Sequence, residues 1–174
     1  MRLWLYGLRK NLKPAHYIRL LNLYDLGKKK SNRLLRKTGV STQGNAVIRA
    51  PFYFECGRIT LGSNVLINSG CVFLDQAMIT IGDNALLGPQ VRLCTTTHDP
   101  SPEKRHSHTR SMAIRIGANA WIGAGVVVLP GISIGENSVI GANSVVTSDV
   151  PANALFAGTP ARFKKWLDGR EVKV

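Results

Sequence analysis

The chain is short of acidic residues: ten Asp and Glu stand against 23 Lys and Arg in 174 residues. That balance leaves a net charge of +13, which favours anionic partners and disfavours cationic ones. Cysteine is scarce. Cys56, Cys71 and Cys94 are odd in number and lack paired metal-ligand spacing, which excludes a disulfide framework and reads as reduced core thiols of a cytosolic protein. No apolar run approaches the roughly 18–20 residues of a membrane span. The opening Met1-Arg2-Leu3-Trp4-Leu5-Tyr6-Gly7-Leu8-Arg9 has too short an apolar stretch, and no small-residue cleavage site, for a secretory signal. Charged residues make up only 19% against 44% hydrophobic, which suits one folded domain rather than a disordered chain.

What the chain has in quantity is a rhythm. Leu61, Ile67 and Phe73 lie six apart, as do Ile81, Leu87 and Leu93, and Ile116, Ile122, Val128, Ile134, Ile140 and Val146. An amphipathic helix repeats near 3.6 and a half-buried strand near 2, so neither produces this spacing. A sandwich of short strands needs turns every 8–12 residues. Six residues make a short strand and a turn, and three such units close a triangular coil whose inward aliphatics stack on the coils above and below. Gly and Asn at the corners, as in Gly82-Asp83-Asn84, Gly117-Ala118-Asn119, Gly135-Glu136-Asn137 and Gly141-Ala142-Asn143, suit tight turns with positive φ. The predicted fold is an all-β solenoid over residues 59–150. It follows a basic, helical segment at 1–37 and a leading cap or partial coil at 38–58, and ends in a tail at 151–174.

The rhythm slips twice. Two extra residues bulge near Asp75-Gln76, and an insertion of 17 residues, about Thr95 to Ser111, separates Leu93 from Ile116. The insertion opens with Thr95-Thr96-Thr97-His98. A rigid scaffold bearing a variable loop is a common place for a site. An imidazole there can take a proton from a hydroxyl near neutral pH; the competing reading is an exposed loop histidine. His106 and His108 share the loop. His-x-His with one further His falls short of the convergent ligands Zn²⁺ needs, so no metal is expected. Gly123-Ala124-Gly125 lacks the third glycine of a dinucleotide fingerprint.

Residues 1–37 carry eleven Lys and Arg against Asp25 alone. Two readings stand side by side: the solvated face of a docked helix, and attraction to an anionic membrane surface. Nucleic-acid binding is not expected, since no motif for it accompanies the charge.

Several runs together resemble the hexapeptide-repeat acyltransferases, most closely the maltose and galactoside O-acetyltransferase branch. They are Ile81-Gly82-Asp83-Asn84-Ala85-Leu86-Leu87-Gly88-Pro89, Thr95-Thr96-Thr97-His98, Ile116 to Gly125 with Trp121 inside it, Leu129-Pro130-Gly131, Val145 to Pro151, and Ala157-Gly158-Thr159-Pro160-Ala161-Arg162. The resemblance covers about residues 40–165. It implies a left-handed parallel β-helix that forms a homotrimer with sites between subunits. Acetyl-CoA would donate an acetyl group to a sugar hydroxyl in polysaccharide or glycolipid biosynthesis. His98 would be the general base and the Ala124 backbone N–H the oxyanion donor. Asn68 and Asp75 would face the acceptor, with corner residues satisfying turn backbone as the alternative. Trp121, Ala124, Ala142, Thr147, Arg162 and Lys165 would line the coenzyme A cleft, the last two near its phosphates. The implied location is the cytoplasm, with peripheral contact at the inner membrane through residues 1–37. The alternative is a trimeric scaffold of the same fold without turnover; a carbonic anhydrase-like metal site fails because no coil carries a second His. Two departures stand out: Asp99 follows His98 where the family usually has Pro, and Ser148 replaces a frequent Lys.

Overall fold

A computed structural model describes residues 13–23 and 26–169. The calls made for residues 1–12, 24–25 and 170–174 lie outside them. Residues 41–157 wind into a parallel β-solenoid of about six turns. Three sheets form its faces. The first face stacks strands at 41–42, 59–61, 79–81, 114–116 and 133–134; the third stacks 52–54, 71–74, 92–94, 127–128 and 145–146. The second runs from 47–48 through 66–67, 86–87, 121–122 and 139–140 to 154–157, then adds an antiparallel strand at 162–166.

All twelve hexad residues point inward and are at most 2% exposed. Each equivalent pair sits in register, as Ile81 on Ile116 and Ile116 on Ile134. Burying such a side chain is worth roughly 1.5–3 kcal/mol, so the stack outweighs any local propensity. A second inward row sits two residues earlier in each unit, as Val65, Ala85, Ala120 and Val126. Near its end the row turns polar. Ser138 donates to the Pro151 carbonyl, and Ser144 donates to the Gly141 carbonyl while accepting from the Gly158 N–H. Phe52, Phe54 and Phe73 fill the first two coils, the Phe52 and Phe73 rings meeting edge to face with centroids 5.0 Å apart.

The corners divide their labour more sharply than expected. Asn64, Asn84, Asn119, Asn137 and Asn143 take the positive φ, near +57°. Glycines 82, 117, 135 and 141 do not. They are there because the adjacent coil leaves no room: a Cβ on Gly117 would lie 2.5 Å from the Glu136 nitrogen. The asparagines also form side-chain ladders, Asn119 donating to Asn137 and Asn137 to Asn153.

Both ends differ from the sequence reading. Residues 41–54 form a full coil, in register with the next through Ser41–Thr60, Val47–Leu66 and Phe52–Cys71. Val40, Ala46 and Phe52 continue the second inward row, Phe52 lying on Cys71, but they are mixed in size and followed by the irregular Glu55–Arg58 corner. Two helices, α1 (Pro14–Leu23) and α2 (Lys28–Lys37), cover this coil, burying Tyr17, Leu20, Leu21 and Leu35. Asn22 bonds both the N–H and the carbonyl of Phe52, and Asn32 does the same for Ala46. Two side-chain amides thus serve the open backbone as another strand would. At the other end the expected tail is strand: Ala154–Ala157 pairs with Val139–Ile140, and Arg162–Trp166 folds back on it. Among the described residues no helix is long and apolar enough to cross a membrane.

Candidate active site

His98 stands off the prism. Thr95 is the last residue of its coil in the ladder, its N–H bonding the Leu74 carbonyl. The chain then continues as an antiparallel hairpin, Thr96–His98 against Thr109–Ser111, in which His98 pairs with Thr109. At about 3.3 Å per residue the histidine lies roughly 10 Å beyond the edge between the third and first faces. Its Nδ1 sits 2.9 Å from the Arg105 carbonyl oxygen. A carbonyl can only accept, so Nδ1 carries the proton and Nε2 keeps the lone pair of the neutral ring. The exposed ring therefore offers solvent a base.

Asp99 does not touch the imidazole. Its Oδ1 accepts the Ser101 N–H at 3.0 Å and the Ser101 hydroxyl at 2.9 Å, while Oδ2 lies 3.8 Å from Arg110. The Ser101 N–H, then its hydroxyl, and more weakly Arg110 hold this carboxyl below the ordinary carboxylate range. Its ionised form is thus favoured by the folded loop. The bonds are complete above the ordinary range and lost only as pH falls through the lowered value. His108 bonds Ser107, and among the described residues no group of three or more His, Cys, Asp or Glu side chains could hold a metal ion.

Beneath the hairpin lies a buried polar column. Thr95 donates to the Leu74 carbonyl at 2.6 Å and accepts from the Ala77 N–H at 3.0 Å. One coil below, Asp75 is fully buried; it accepts the N–H groups of Glu55 and Cys56 on one oxygen and of Arg58 on the other. This corrects the assignment of Asp75 to the acceptor, because both oxygens are spent on turn backbone and none faces solvent. The bulge exists to fit this anchor. Thr95 was missed as its partner, since a threonine beginning a polar loop gives no sign of burial. Cys71 is likewise structural: burial pushes its thiol up to about 11.

The other expected residues fall on a different part of the prism. Asn68, Ala124 and Ala142 share the edge between the second and third faces, on successive or alternate coils. Asn68 uses its oxygen on the Ser69 N–H. Gly123 and Gly125 donate to the carbonyls of Ile140 and Pro89, whereas no acceptor is placed for the Ala124 N–H among the described residues. On the second face, register puts Leu66, Leu86, Trp121, Val139, Leu155 and Lys165 in one outward row. Trp121 is 54% exposed within it. Arg162 begins the same final strand, beside Lys164, a third cation the sequence reading passed over. Thr147 lies on the His98 edge instead, two coils on. So the structure brings together an apolar row ending in cations, next to a free N–H, and sets His98 a full face away. Within one chain the two groups do not meet.

Residues 113–148 match the family described as bacterial transferase hexapeptide (six repeats). The galactoside O-acetyltransferase of Escherichia coli K12 is 39% identical over 144 residues, covering 82% of this chain and 71% of that protein. The structure of a maltose O-acetyltransferase from Clostridium difficile 630 superposes with a TM-score of 0.83 at 36% identity, covering 88% of this chain and 84% of that one. A galactoside acetyltransferase in complex with coenzyme A gives 0.84 at 36%, covering 88% and 78%. Matching the architecture and the repeat over most of its length, the chain belongs to the hexapeptide-repeat family of acetyltransferases.

Proposed function

We propose that the protein transfers an acetyl group from acetyl-CoA to a sugar hydroxyl, with His98 as general base. The observation that carries this is the His98–Arg105 bond, which leaves Nε2 free to receive a proton. Nε2 takes the acceptor hydroxyl's proton as that oxygen attacks the thioester carbonyl. The Ala124 N–H, for which no acceptor is placed among the described residues, stabilises the oxyanion. As the carbon–sulfur bond breaks, the imidazolium returns the proton to the departing thiolate. The row from Trp121 to Lys165 suits the cofactor: apolar side chains for the pantetheine arm, then cations for phosphates.

Because His98 and this row lie on different edges of one prism, the working site needs two copies of the chain. A homotrimer meets that need three times over, each cleft taking His98 and Thr147 from one copy and the Ala124 edge from the next. Asn68, with its amide nitrogen uncommitted, is the remaining candidate for an acceptor contact. The basic cap extends the reading to saccharides assembled on an anionic membrane face. The test is thiol release from acetyl-CoA with a panel of mono- and oligosaccharides. A sugar-dependent signal is expected, falling by about 10³-fold or more in His98→Ala with assembly and coenzyme A binding retained. Full activity in that variant excludes the base, and no turnover with any acceptor favours the scaffold reading.

A further inference from the structure

His98 has no core beneath it, so hydrogen bonds alone must hold its ring. Its position depends on the Arg105 carbonyl, and that carbonyl is placed by a single turn: the Lys104 and Arg105 N–H groups both bond the Ser101 carbonyl, and the Arg105 guanidinium bonds the Pro100 carbonyl. The turn begins where Asp99 seizes Ser101 through both its N–H and its hydroxyl. An aspartate that bonds the N–H two residues on fixes the chain as a backbone turn would. Pro100 between them stiffens the same entry. The Asp99 N–H also donates to the His108 carbonyl across the hairpin, so the residue ties both strands to the turn.

We propose that Asp99 is a positioning residue: acting through Ser101 and the 101–105 turn, it holds the Arg105 carbonyl against His98 Nδ1 and so selects the tautomer with a basic Nε2. The proposal rests on His98 being the general base. It explains why this chain does without a proline immediately after the histidine. Arg110 contributes little to the device, being 75% exposed at 3.8 Å from the carboxylate. The work is done by the hydrogen bonds, not the ion pair, and this separates two substitutions. Asp99→Ala removes the one oxygen that accepts both Ser101 bonds. Asp99→Asn keeps an oxygen for them and gives up only the charge.

The experiment pairs kinetics with nitrogen NMR of the His98 ring in the full-length protein. In Asp99→Ala, kcat should fall about 10–100-fold with KM for acetyl-CoA within about twofold. The Nδ1-protonated signature should be lost to a mixture of tautomers, and the acid limb of the pH–rate profile should move. Asp99→Asn should restore the single tautomer and most of kcat. Because the hairpin lies outside the prism, the thermal transition should be unchanged in both. The proposal is overturned if Asp99→Ala keeps the wild-type tautomer and rate, or if Asp99→Asn falls as far as Asp99→Ala. His98→Ala, measured alongside, separates the two ideas. If it is inactive while Asp99→Ala is normal, only the positioning role fails. If it is active, the base assignment fails, and the ring nitrogens still report whether Asp99 sets the tautomer.

Discussion

One aspartate lies inside the insertion and one a coil below it, and burial makes them opposites. Asp99 works at the surface, where its bonds order a loop; Asp75 works inside, where three N–H groups converge on it. Removing Asp75 leaves those donors without acceptors at a corner that carries the hairpin. Asp75→Ala should therefore cost at least about 2 kcal/mol, read as a lower urea midpoint. Asp75→Asn should also cost stability, since its amide turns a donor toward one of the same donors. The residue string left Asp75 two readings, acceptor contact or turn backbone, and its burial against three turn N–H groups favours the second. The two-residue slip located Asp75 but said nothing of which way it faced. His98 could be singled out, because it opens the largest break in a regular repeat. Its supporting carbonyl could not, because Arg105 reaches it through a turn whose backbone no periodicity announces.

At the scale of one coil the hexad is a statement about clearance as much as about hydrophobicity. Eleven inward aliphatics and Phe73 were legible because their spacing is six within every coil. The partner row two residues earlier was not, because Ile, Val, Ala, Cys and Ser all occupy it and blur its apolar pattern. The glycines just after the aliphatics mark where the next backbone passes. Gly117→Ala places a methyl 2.5 Å from the Glu136 nitrogen, with backbone on every side of it. We expect a loss of roughly 1–3 kcal/mol, visible as a lower Tm. Gly27→Ala, where an added Cβ meets nothing within 4 Å, should lie within about 0.5 kcal/mol of the parent. The first coil reads only as a cap or partial coil for a related reason: Gly57 approaches Thr38 so closely that the corner is irregular, and the count restarts at Ile59.

The whole molecule is electrically lopsided. Arg19, Lys28, Lys29, Lys30, Arg33, Arg36 and Lys37 are all exposed on α1 and α2, with Lys13 just before them and no acidic residue in either helix. A cyclic trimer keeps its three prisms parallel, so it would gather three such caps on one end. The proposed contact with an anionic membrane face can be tested at this end. Binding to vesicles containing anionic lipid should fall with salt, and should drop sharply when Lys28, Lys29 and Lys30 are changed to Glu, each lysine contributing roughly 1 kcal/mol near such a surface. Unchanged sedimentation of that variant excludes the contact. Charge reversal is the right probe because deleting the helices would also remove Asn22 and Asn32. Those two amides carry a further consequence. A coil that pairs with an identical coil above and below has no natural length, and its unpaired rim is a template for another molecule. Here the asparagines occupy one rim and the returning strand Arg162–Trp166 the other. What keeps this protein from growing into a fibre is therefore not its repeat but its two stoppers.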